Sequence, residues 1–595
     1  MKLGKKLLAL GLVGVMAIST LTGCGGGSGK TKTVSFMYGG DATLTEMFNL
    51  VIDEFNKTVG AEKGVQVKGI PKSGSIDSVL AQQLPSNSGP DIVCTSDKYF
   101  KKYTQYFEDL SSIIEKDAQA EYYDNSIIRY HYDIETTTSY DSDPLYGIPA
   151  YNDASVLYYN KTVLEKAGVI CISVDEKDLD AFNAGTAKDN NGKTKSDYGI
   201  TETIPAKGFY RSIAPYAAVE GDTAGSSWTK PISGETLIFN DRIAMNWDEI
   251  EDLAMICTKE KNSASASEFG YYTEWWFNYG WSVGGDCLED LSGNGDWTYT
   301  LAGNNPNYIV AEGKTYTGVY TGTEYKAGET LDVKDVLNAT AGDTISYETD
   351  EKSYYNYTVN GSAATMRDLS TEVANGTLVE LPSIKEAFSR FTYLAGVGGL
   401  NVSPYPSAFS STSSATYFAT GNLAMLVEYV SSAATIDKIM ADEWGMAPLP
   451  QYKEYTDPAD PACDTVAKEG KMASQSLGYA VSVSKKSEVK EDAYVFVEWL
   501  ATEGQKVLAE NGYLSSRKCD ADIVLEKLPY DNAQVVLNSV AACSAGDWWY
   551  MQDNNWISTW SSPLNTQVRY GKMGLDEFLY GYIEQTNKDL LTYKK

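Results

Sequence analysis

The amino-acid sequence predicts an α/β protein with a parallel sheet and more than one domain. Strand-like segments at residues 34–38, 65–70 and 91–95 are separated by helical segments, which is the βαβαβ order of a parallel sheet. The chain has 595 residues, of which 43% are hydrophobic and 12% aromatic. That length and composition are typical of a globular protein with several hydrophobic cores.

The first residues have the pattern of a secretory signal. Lys2, Lys5 and Lys6 precede an apolar run over residues 7–18, which is shorter than the ~20 apolar residues that a membrane-spanning helix needs. The run ends in Leu-Thr-Gly-Cys, which resembles the lipobox of bacterial lipoproteins. This resemblance implies cleavage after residue 23 and lipid attachment to Cys24. We therefore expect a signal peptide over 1–23, a lipidated glycine-rich tether over 24–32, and a body held at the outer face of the bacterial cytoplasmic membrane.

The charge of the chain excludes several kinds of partner. The formal net charge is −31, and cleavage of the signal would make it more negative by removing three lysines and no acids. Nucleic acid and anionic lipid surfaces repel such a protein. We expect a monomer that contacts the membrane through its lipid only.

Cysteine and histidine are too few and too scattered for a metal site. His131 is the single histidine, and no Cys-x-x-Cys pair occurs. The cysteines beyond Cys24 are odd in number, so they cannot all pair within one chain. They are Cys94, Cys171, Cys257, Cys287, Cys463, Cys519 and Cys543. We expect buried free thiols, no metal and no cofactor.

Apolar periodicity predicts helices along the chain. The spacing of the apolar residues from Leu44 to Phe55 indicates a helix with one buried face. Asn246 and Glu249 have capping-box spacing before another helix, and two later helices are expected near 493–500 and 575–583. Residues 286–376, rich in Gly, Thr, Asn and Tyr, predict a β-rich insertion.

Polar residues follow two strands of the predicted parallel sheet. Tyr38 and Asp41 come at the end of the first strand, and Asp97 at the end of the third. Ligands of open α/β sheets gather at the carboxyl ends of strands, so these side chains are candidates for ligand contact. The alternative is that Asp41 caps the helix that follows.

Several stretches in order resemble the extracellular solute-binding proteins of sugar ABC transporters, the family that includes maltose-binding protein. They are YGIPAYNDASVLYYNKTVLEKAGV (146–169), NWDEIEDLAMICTK, FATGNLAMLVEYV (418–430), WGMAPLPQY and GYAVSVSKKSEVKEDAYVFVEWLATEGQ. The resemblance implies a two-lobe hinged solute-binding fold, periplasmic-binding-protein-like and of class II, with permease subunits as partners. We expect lobe 1 over 33–150 and 427–478, and lobe 2 over 151–426 and 479–595.

The resemblance also implies candidate residues for sugar binding. The crossing between the lobes supplies Tyr151, Asn152 and Asp153. A returning strand offers Glu428 and Tyr429 where the family often has glycine and tryptophan. Two adjacent pairs supply stacking rings: Trp275 with Trp276, and Trp548 with Trp549. Tryptophan covers the apolar face of a sugar ring, while carboxylates and amides bind its hydroxyls.

Other interpretations stay open at this point. Trp276 is a candidate core residue, and Trp548 and Trp549 cannot both face one direction if they lie on a strand. The same fold is compatible with a peptide or another polar solute as ligand. A surface glycoside hydrolase needs a defined carboxyl pair, and no sequence feature selects one. We expect no catalysis, and a structural role for His131.

Overall fold

The computed structural model describes residues 32–86, 88–213, 230–348, 356–396, 399–546, 549, 551–552 and 556–592. The predicted signal peptide, Cys24 and all but the last residue of the tether lie outside these ranges. Every helix of the described residues is too short or too polar to cross a membrane.

The described strands vary from two to thirteen residues. In chain order they are β1 (Lys32–Gly39), β2 (Val65–Lys72), β3 (Ile92–Ser96), β4 (Ile148–Asn160), β5 (Val169–Ile172), β6 (Phe209–Arg211), β7 (Leu237–Asn240), β8 (Phe269–Tyr272), β9 (Leu288–Asp290), β10 (Trp297–Tyr299), β11 (Asn307–Val310), β12 (Thr315–Thr317), β13 (Glu324–Lys326), β14 (Ile345–Glu348), β15 (Asn356–Val359), β16 (Ser362–Ala363), β17 (Leu378–Leu381), β18 (Leu423–Tyr429), β19 (Trp444–Ala447), β20 (Lys453–Tyr455), β21 (Val466–Glu469), β22 (Ser474–Val483) and β23 (Cys543–Ala545).

The helices pack on these strands and fill the connections between them. In chain order they are α1 (Ala42–Lys57), α2 (Val59–Lys63), α3 (Ile76–Gln83), α4 (Asp97–Tyr103), α5 (Lys116–Ala120), α6 (Asp124–Ile127), α7 (Lys161–Lys166), α8 (Leu179–Asn183), α9 (Trp247–Ile256), α10 (Phe277–Ser282), α11 (Val333–Val336), α12 (Ser370–Ala374), α13 (Ile384–Tyr393), α14 (Ser414–Ala419), α15 (Ala433–Ile439), α16 (Lys490–Trp499), α17 (Gln505–Glu510), α18 (Ala521–Lys527), α19 (Ala533–Ala541), α20 (Trp556–Pro563) and α21 (Leu575–Thr592).

The local sequence patterns give the predicted elements. In α1 the buried residues are those of the predicted apolar face, and Asn246 caps α9 in a capping box with Glu249. The helices expected near 493 and 575 are α16 and α21. Strands β9–β17 form small antiparallel sheets, which confirms the β-rich insertion.

One mixed sheet of nine strands runs through the protein. Its order is β2-β1-β3-β22-β4-β18-β8, with β19 also pairing with β4 and β23 with β22. The predicted parallel strands β1, β2 and β3 lie together at one end. Strands β22 and β18 flank β4 on its two sides, both antiparallel to it. Since β4 is central, its residues are brought next to residues of β18 and β22 that are more than 260 positions away in sequence.

Two large hydrophobic cores form around this sheet. The first core contains the buried side chains of β1–β3, α1 and α16–α19, and the second contains those of α7, α9, α10, α13, α20 and α21. In β4, Tyr158 packs in the first core, whereas its neighbours Leu157 and Tyr159 pack in the second. The predicted crossing is therefore a strand shared by both cores.

The contacts differ from the predicted lobe boundaries in several segments, one of which is α14, predicted in lobe 2 but packed in the first core through Ala415 and Phe418. Residues 479–545, expected in lobe 2, pack in the first core, because β22 pairs with β3 and α16 packs on β22 and β1. Residues 447–473, expected in lobe 1, contribute Ala447, Leu449 and Ala473 to the second core. These assignments depend on long-range strand pairing, which local periodicity does not report.

Candidate functional site

The candidate site lies where β4 is flanked by β22 and β18. On one side Leu477 of β22 is opposite Asp153, and Tyr479 is opposite Tyr151. On the other side Tyr429 of β18 is opposite Ser155. Strand register therefore brings the predicted crossing residues and the predicted Glu428–Tyr429 pair together.

Asp153 is a buried carboxylate held by hydrogen bonds. Its side chain is 4% exposed, and Oδ1 accepts a hydrogen bond from the Ser431 backbone N–H at 3.1 Å. Burial raises the pKa of Asp153 to about 7, and the negative charge of Glu428 adds to that rise, while hydrogen bonds from Ser431 and Tyr151 oppose it. At neutral pH the carboxyl group is poised between its neutral and charged forms.

Glu428 of β18 is a half-buried carboxylate whose charge acts on Asp153. Its oxygens accept hydrogen bonds from the Ser414 hydroxyl at 2.5 Å and from the Tyr429 N–H at 3.1 Å. Burial raises the pKa of Glu428, and the nearby Glu274 carboxylate raises it further. The site is thus rich in hydrogen-bond acceptors and in negative charge.

Trp275 and Trp276 have different surroundings although they are adjacent in sequence. The Trp275 ring packs on Tyr429 with centroids 4.8 Å apart. The Trp276 ring lies in the second core against Phe388 and Trp560, at centroid distances of 5.5 and 5.7 Å. The structure therefore places Trp275 beside the crossing and gives Trp276 the core environment that was its alternative.

Asp97 lies in a buried structural network. It forms an ion pair with Arg129 at 2.8 Å, and it accepts hydrogen bonds from the Tyr130 hydroxyl at 2.7 Å and the Gly478 N–H at 2.9 Å. A β-carbon on Gly478 would lie 2.6 Å from both carboxylate oxygens. Asp97 therefore connects α4 and Arg129 to β22 at the crossing. Because both of its carboxylate oxygens are already hydrogen-bonded within the protein, it is a poor candidate for contact with a ligand.

Three other predicted residues are also engaged with the protein. Tyr38 is fully buried, packs on Phe48 at 4.9 Å, and donates a hydrogen bond to Asn49 Oδ1 at 3.2 Å. Asp41 is exposed and caps α1 by accepting a hydrogen bond from the Leu44 N–H at 2.9 Å. Asn152 is buried, and its Nδ2 donates to Ser126 at 2.9 Å.

Trp549 lies on a buried lysine of the first core. The Lys101 Nζ is 4.0 Å from the centre of the Trp549 ring, and the Tyr130 ring meets it edge-on at 6.3 Å. Burial lowers the pKa of Lys101 to about 7, although Asp97 and Asp143 partly oppose the shift. Trp548, the other member of the predicted pair, lies outside the described residues.

Sequence reasoning did not find Gln475, Tyr479 and Ser431 at this site. They come from β22 and from the turn after β18, and only strand register brings them to β4. No local motif marks them. His131 does have a structural contact, since its Nδ1 lies 2.7 Å from the Asp143 carbonyl oxygen.

The chemistry of the described residues does not include a metal centre. Among the described ranges no group of three or more His, Cys, Asp or Glu side chains is arranged to hold a metal ion. Cys94, Cys171, Cys257 and Cys543 are buried thiols outside any disulfide. Separately, the β-rich insertion contains a cavity of about 270 Å³ whose lining includes Asp286, Glu289 and Tyr357.

Comparison with known families agrees with this architecture. The model of the bacterial extracellular solute-binding protein family matches residues 41–218 and 382–507, which together make up just over half of the chain. The unmatched residues between these two ranges include the β-rich insertion.

Solved structures show the same fold. The ABC substrate-binding protein Lmo0181 from Listeria monocytogenes, in complex with cycloalternan, matches with a TM-score of 0.52 and 15% identity, over 94% of this chain and 99% of that chain. The cyclic alpha-maltosyl-1,6-maltose binding protein from Arthrobacter globiformis matches with a TM-score of 0.51 and 14% identity, over 94% and 98%.

A match to a curated protein covers a short part of the chain. Foldase protein PrsA 2 from Listeria innocua serovar 6a is 29% identical over 140 residues, which is 23% of this chain. The match spans 41% of the length of that foldase. It is too short to indicate a shared function.

Proposed function

Since the chain belongs to the family of bacterial extracellular solute-binding proteins, we propose that it is the lipid-anchored receptor of an ABC importer for a carbohydrate, an oligosaccharide. Its family and the similar structures are transport binding proteins rather than enzymes. In this proposal the protein traps the sugar between two lobes and delivers it unchanged to permease subunits. Lipid at Cys24 would keep it at the membrane.

The observation that carries the proposal is the contact between the Trp275 and Tyr429 rings, close enough to Asp153 for its charge to act on Tyr429, at a strand shared by both cores. A sugar ring has apolar C–H faces and a rim of hydroxyl groups. Aromatic rings bury the faces, and carboxylate and amide oxygens accept hydrogen bonds from the rim. The similar structure from Listeria monocytogenes is a complex with cycloalternan, and the Arthrobacter globiformis protein is named as a cyclic alpha-maltosyl-1,6-maltose binding protein.

The fold supports closure around such a ligand. We propose that lobe 1 is built on the first core and lobe 2 on the second, with β4, β18 and β22 as the connections. Tyr151 then belongs to lobe 1 and Trp275 to lobe 2. A sugar that contacts both is bound best when the lobes are closed, so binding would shift the population toward the closed state.

A thermal-shift screen of the mature chain tests the proposal. The panel contains monosaccharides, oligosaccharides of several linkages, amino acids and short peptides. A ligand at 100 times its dissociation constant should stabilise the fold by about 2.7 kcal/mol. We expect a shift from an oligosaccharide that mass spectrometry recovers unchanged. A shift from peptides alone would overturn the carbohydrate assignment and keep the fold.

The variant Trp275→Ala, with Trp276→Ala as its matched control, locates the site. We expect the first to abolish the sugar-induced shift, because it removes the ring that would face the sugar. The control should lower the melting temperature of the free protein and keep the shift, because Trp276 packs against Phe388 and Trp560. Equal shifts in the two variants would contradict the stacking model.

A further inference from the structure

The crossing has more hydrogen-bond acceptors than donors. Gln475 is fully buried, and among the described residues its Oε1 receives no hydrogen bond. Its amide also contacts the Tyr429 hydroxyl, and strand register places Gln475 diagonally across from Asp153. Gln475 Oε1, Asp153 and Glu428, here called the acceptor cluster, are all groups that accept hydrogen bonds.

The charges around the acceptor cluster are negative. The charged group that acts on Glu428 is Glu274, and those that act on Tyr429 are Glu428, Asp153 and Asp97. All of them are anions. A buried carboxylate without a cation is unfavourable, and the raised pKa of Asp153 reflects that cost.

Two buried arginines, Arg129 and Arg569, lie near the crossing, and neither pairs with the acceptor cluster. Arg129 uses its guanidinium nitrogens on Asp97, the Ser476 hydroxyl and a backbone carbonyl. Arg569 packs against the rings of Tyr272 and Phe391, and Glu274 is its acidic neighbour. Its Nε and Nη2 have no hydrogen-bond partner among the described residues. Within the described part of the chain, neither arginine forms a hydrogen bond or ion pair with Asp153 or Glu428.

Two aromatic rings, those of Trp275 and Tyr429, lie beside the acceptor cluster. The Trp275 ring is 9% exposed and packs on Tyr429, whose backbone N–H bonds to Glu428. A cation placed against such rings is attracted by their π-electrons, and the attraction grows when water is excluded. An ammonium group carries three donors and no acceptor, so it suits this set of partners better than a hydroxyl group does.

We infer that the solute is an amine-bearing sugar, whose protonated amine lies between Asp153, Gln475 and the Trp275–Tyr429 rings. This inference rests on the proposed function, and it names the substrate class. Binding would supply the positive charge that the acceptor cluster lacks. The amine would donate hydrogen bonds to the Asp153 carboxylate and to Gln475 Oε1.

Calorimetric titration of the purified protein with matched sugars tests the inference. Each set contains a free-amine sugar, its N-acetyl form and its neutral hydroxyl form: glucosamine, galactosamine and the β-1,4-linked glucosamine trimer with their counterparts. In the set that binds, we expect the amine form to bind at least about tenfold more tightly than the other two forms. Those forms lack the positive charge that would pair with the buried Asp153 carboxylate.

The outcomes separate this inference from the proposed function. A neutral or N-acetylated sugar that binds as tightly as the amine, or more tightly, overturns the inference and leaves the carbohydrate receptor in place. Binding of amino acids or peptides with no binding of any sugar overturns both.

The variant Asp153→Asn tests the assigned residue, with Asp522→Asn as its control. Asp522 is exposed in the first turn of α18, away from the crossing, so the control makes the same charge change elsewhere. We expect Asp153→Asn to weaken binding of the amine form by at least about tenfold more than binding of the neutral form, so that the preference for the amine is lost. Asp522→Asn should change the binding of neither form. Circular dichroism confirms that both variants are folded. A preference that survives in Asp153→Asn overturns the assignment.

Discussion

The rings of Trp275 and Tyr429 pack at a centroid distance of 4.8 Å, and they join a loop after β8 to the end of β18. Tyr429 in turn lies opposite Ser155 on β4, the strand shared by both cores. The contact links the second core to the crossing. We regard it as the apolar side of the solute site.

The two adjacent tryptophans should separate binding from stability. Trp276→Ala should lower the free energy of unfolding by about 3–5 kcal/mol, because it empties a space in the second core. Trp275→Ala should lower the free energy of unfolding by less than Trp276→Ala does. It should weaken solute binding by at least about tenfold, because a stacking contact with the sugar is lost. Urea unfolding and calorimetric titration of the two variants measure both quantities. A larger loss of affinity in Trp276→Ala would contradict the assignment.

The buried ion pair should matter far more than an exposed one. Arg129→Met leaves the Asp97 charge buried without its cation, and we expect a loss of about 3–5 kcal/mol in the free energy of unfolding. The control Lys102→Met removes the pair with Asp77, in which the lysine is 41% exposed, and should cost less than about 1 kcal/mol. Similar losses in urea unfolding would mean that Asp97 does not tie β22 to lobe 1.

Gly478 is required by a close approach to Asp97. In Gly478→Ala the new methyl group would lie 2.6 Å from the carboxylate oxygens and 2.7 Å from the Tyr130 hydroxyl. We expect a loss of about 1–3 kcal/mol, since packed surroundings relax only partly. Gly581→Ala is the control, because Gly581 is at an exposed position of α21 and nothing lies within 4 Å of its β-carbon, so the variant should be more stable by about 0.5–1 kcal/mol. Thermal unfolding distinguishes the two, and a neutral Gly478→Ala would contradict the described contact.

The stability of the protein should depend on the ionisation of Asp153. Its pKa of about 7 in the folded protein lies above its ordinary value of 3.8. Between these pH values the folded state binds a proton that the unfolded state has lost, so the stability falls as pH rises, by up to about 1.4 kcal/mol per pH unit. Above pH 7 the contribution is constant, because both states are ionised.

The variant Asp153→Asn isolates that contribution. Asparagine does not titrate, so the variant should gain stability relative to the wild type as pH rises from 4 to 7. Urea unfolding at one-unit steps from pH 4 to 8, with Asp522→Asn as control, measures the difference. If the free energies of unfolding of the variant and the wild type change with pH in parallel, the pKa of Asp153 is not raised in the folded protein.

Local patterns in the sequence predict the elements that depend on nearby residues. Strands β1–β3, the buried face of α1 and the Asn246 cap follow from periodicity and capping chemistry. The resemblance to the family identified the crossing at β4. What could not be predicted depends on long-range pairing: β22 lies between β3 and β4, so residues 479–545 pack in the first core.

The same limit applies to the candidate site. Tyr38 and Asp97 are at the strand ends where they were expected. However, the Tyr38 side chain is buried in the first core, and the Asp97 carboxylate forms an ion pair with Arg129. Asp41 is the helix cap that its position also allowed. Gln475 has no motif of its own, and only the register of β22 on β4 brings it close to Asp153.

Hydrogen–deuterium exchange with and without the sugar that gives the largest thermal shift tests the central claim most directly. We propose that the solute binds at the crossing of β4, β18 and β22. The described residues also line cavities of about 270 and about 410 Å³ in and beside the β-rich insertion, and these are alternative places for a solute. We predict slower exchange at residues 151–155, 428–431 and 475–479 when the sugar is bound. Slower exchange confined to residues 284–384, with no change at the crossing, would contradict the account.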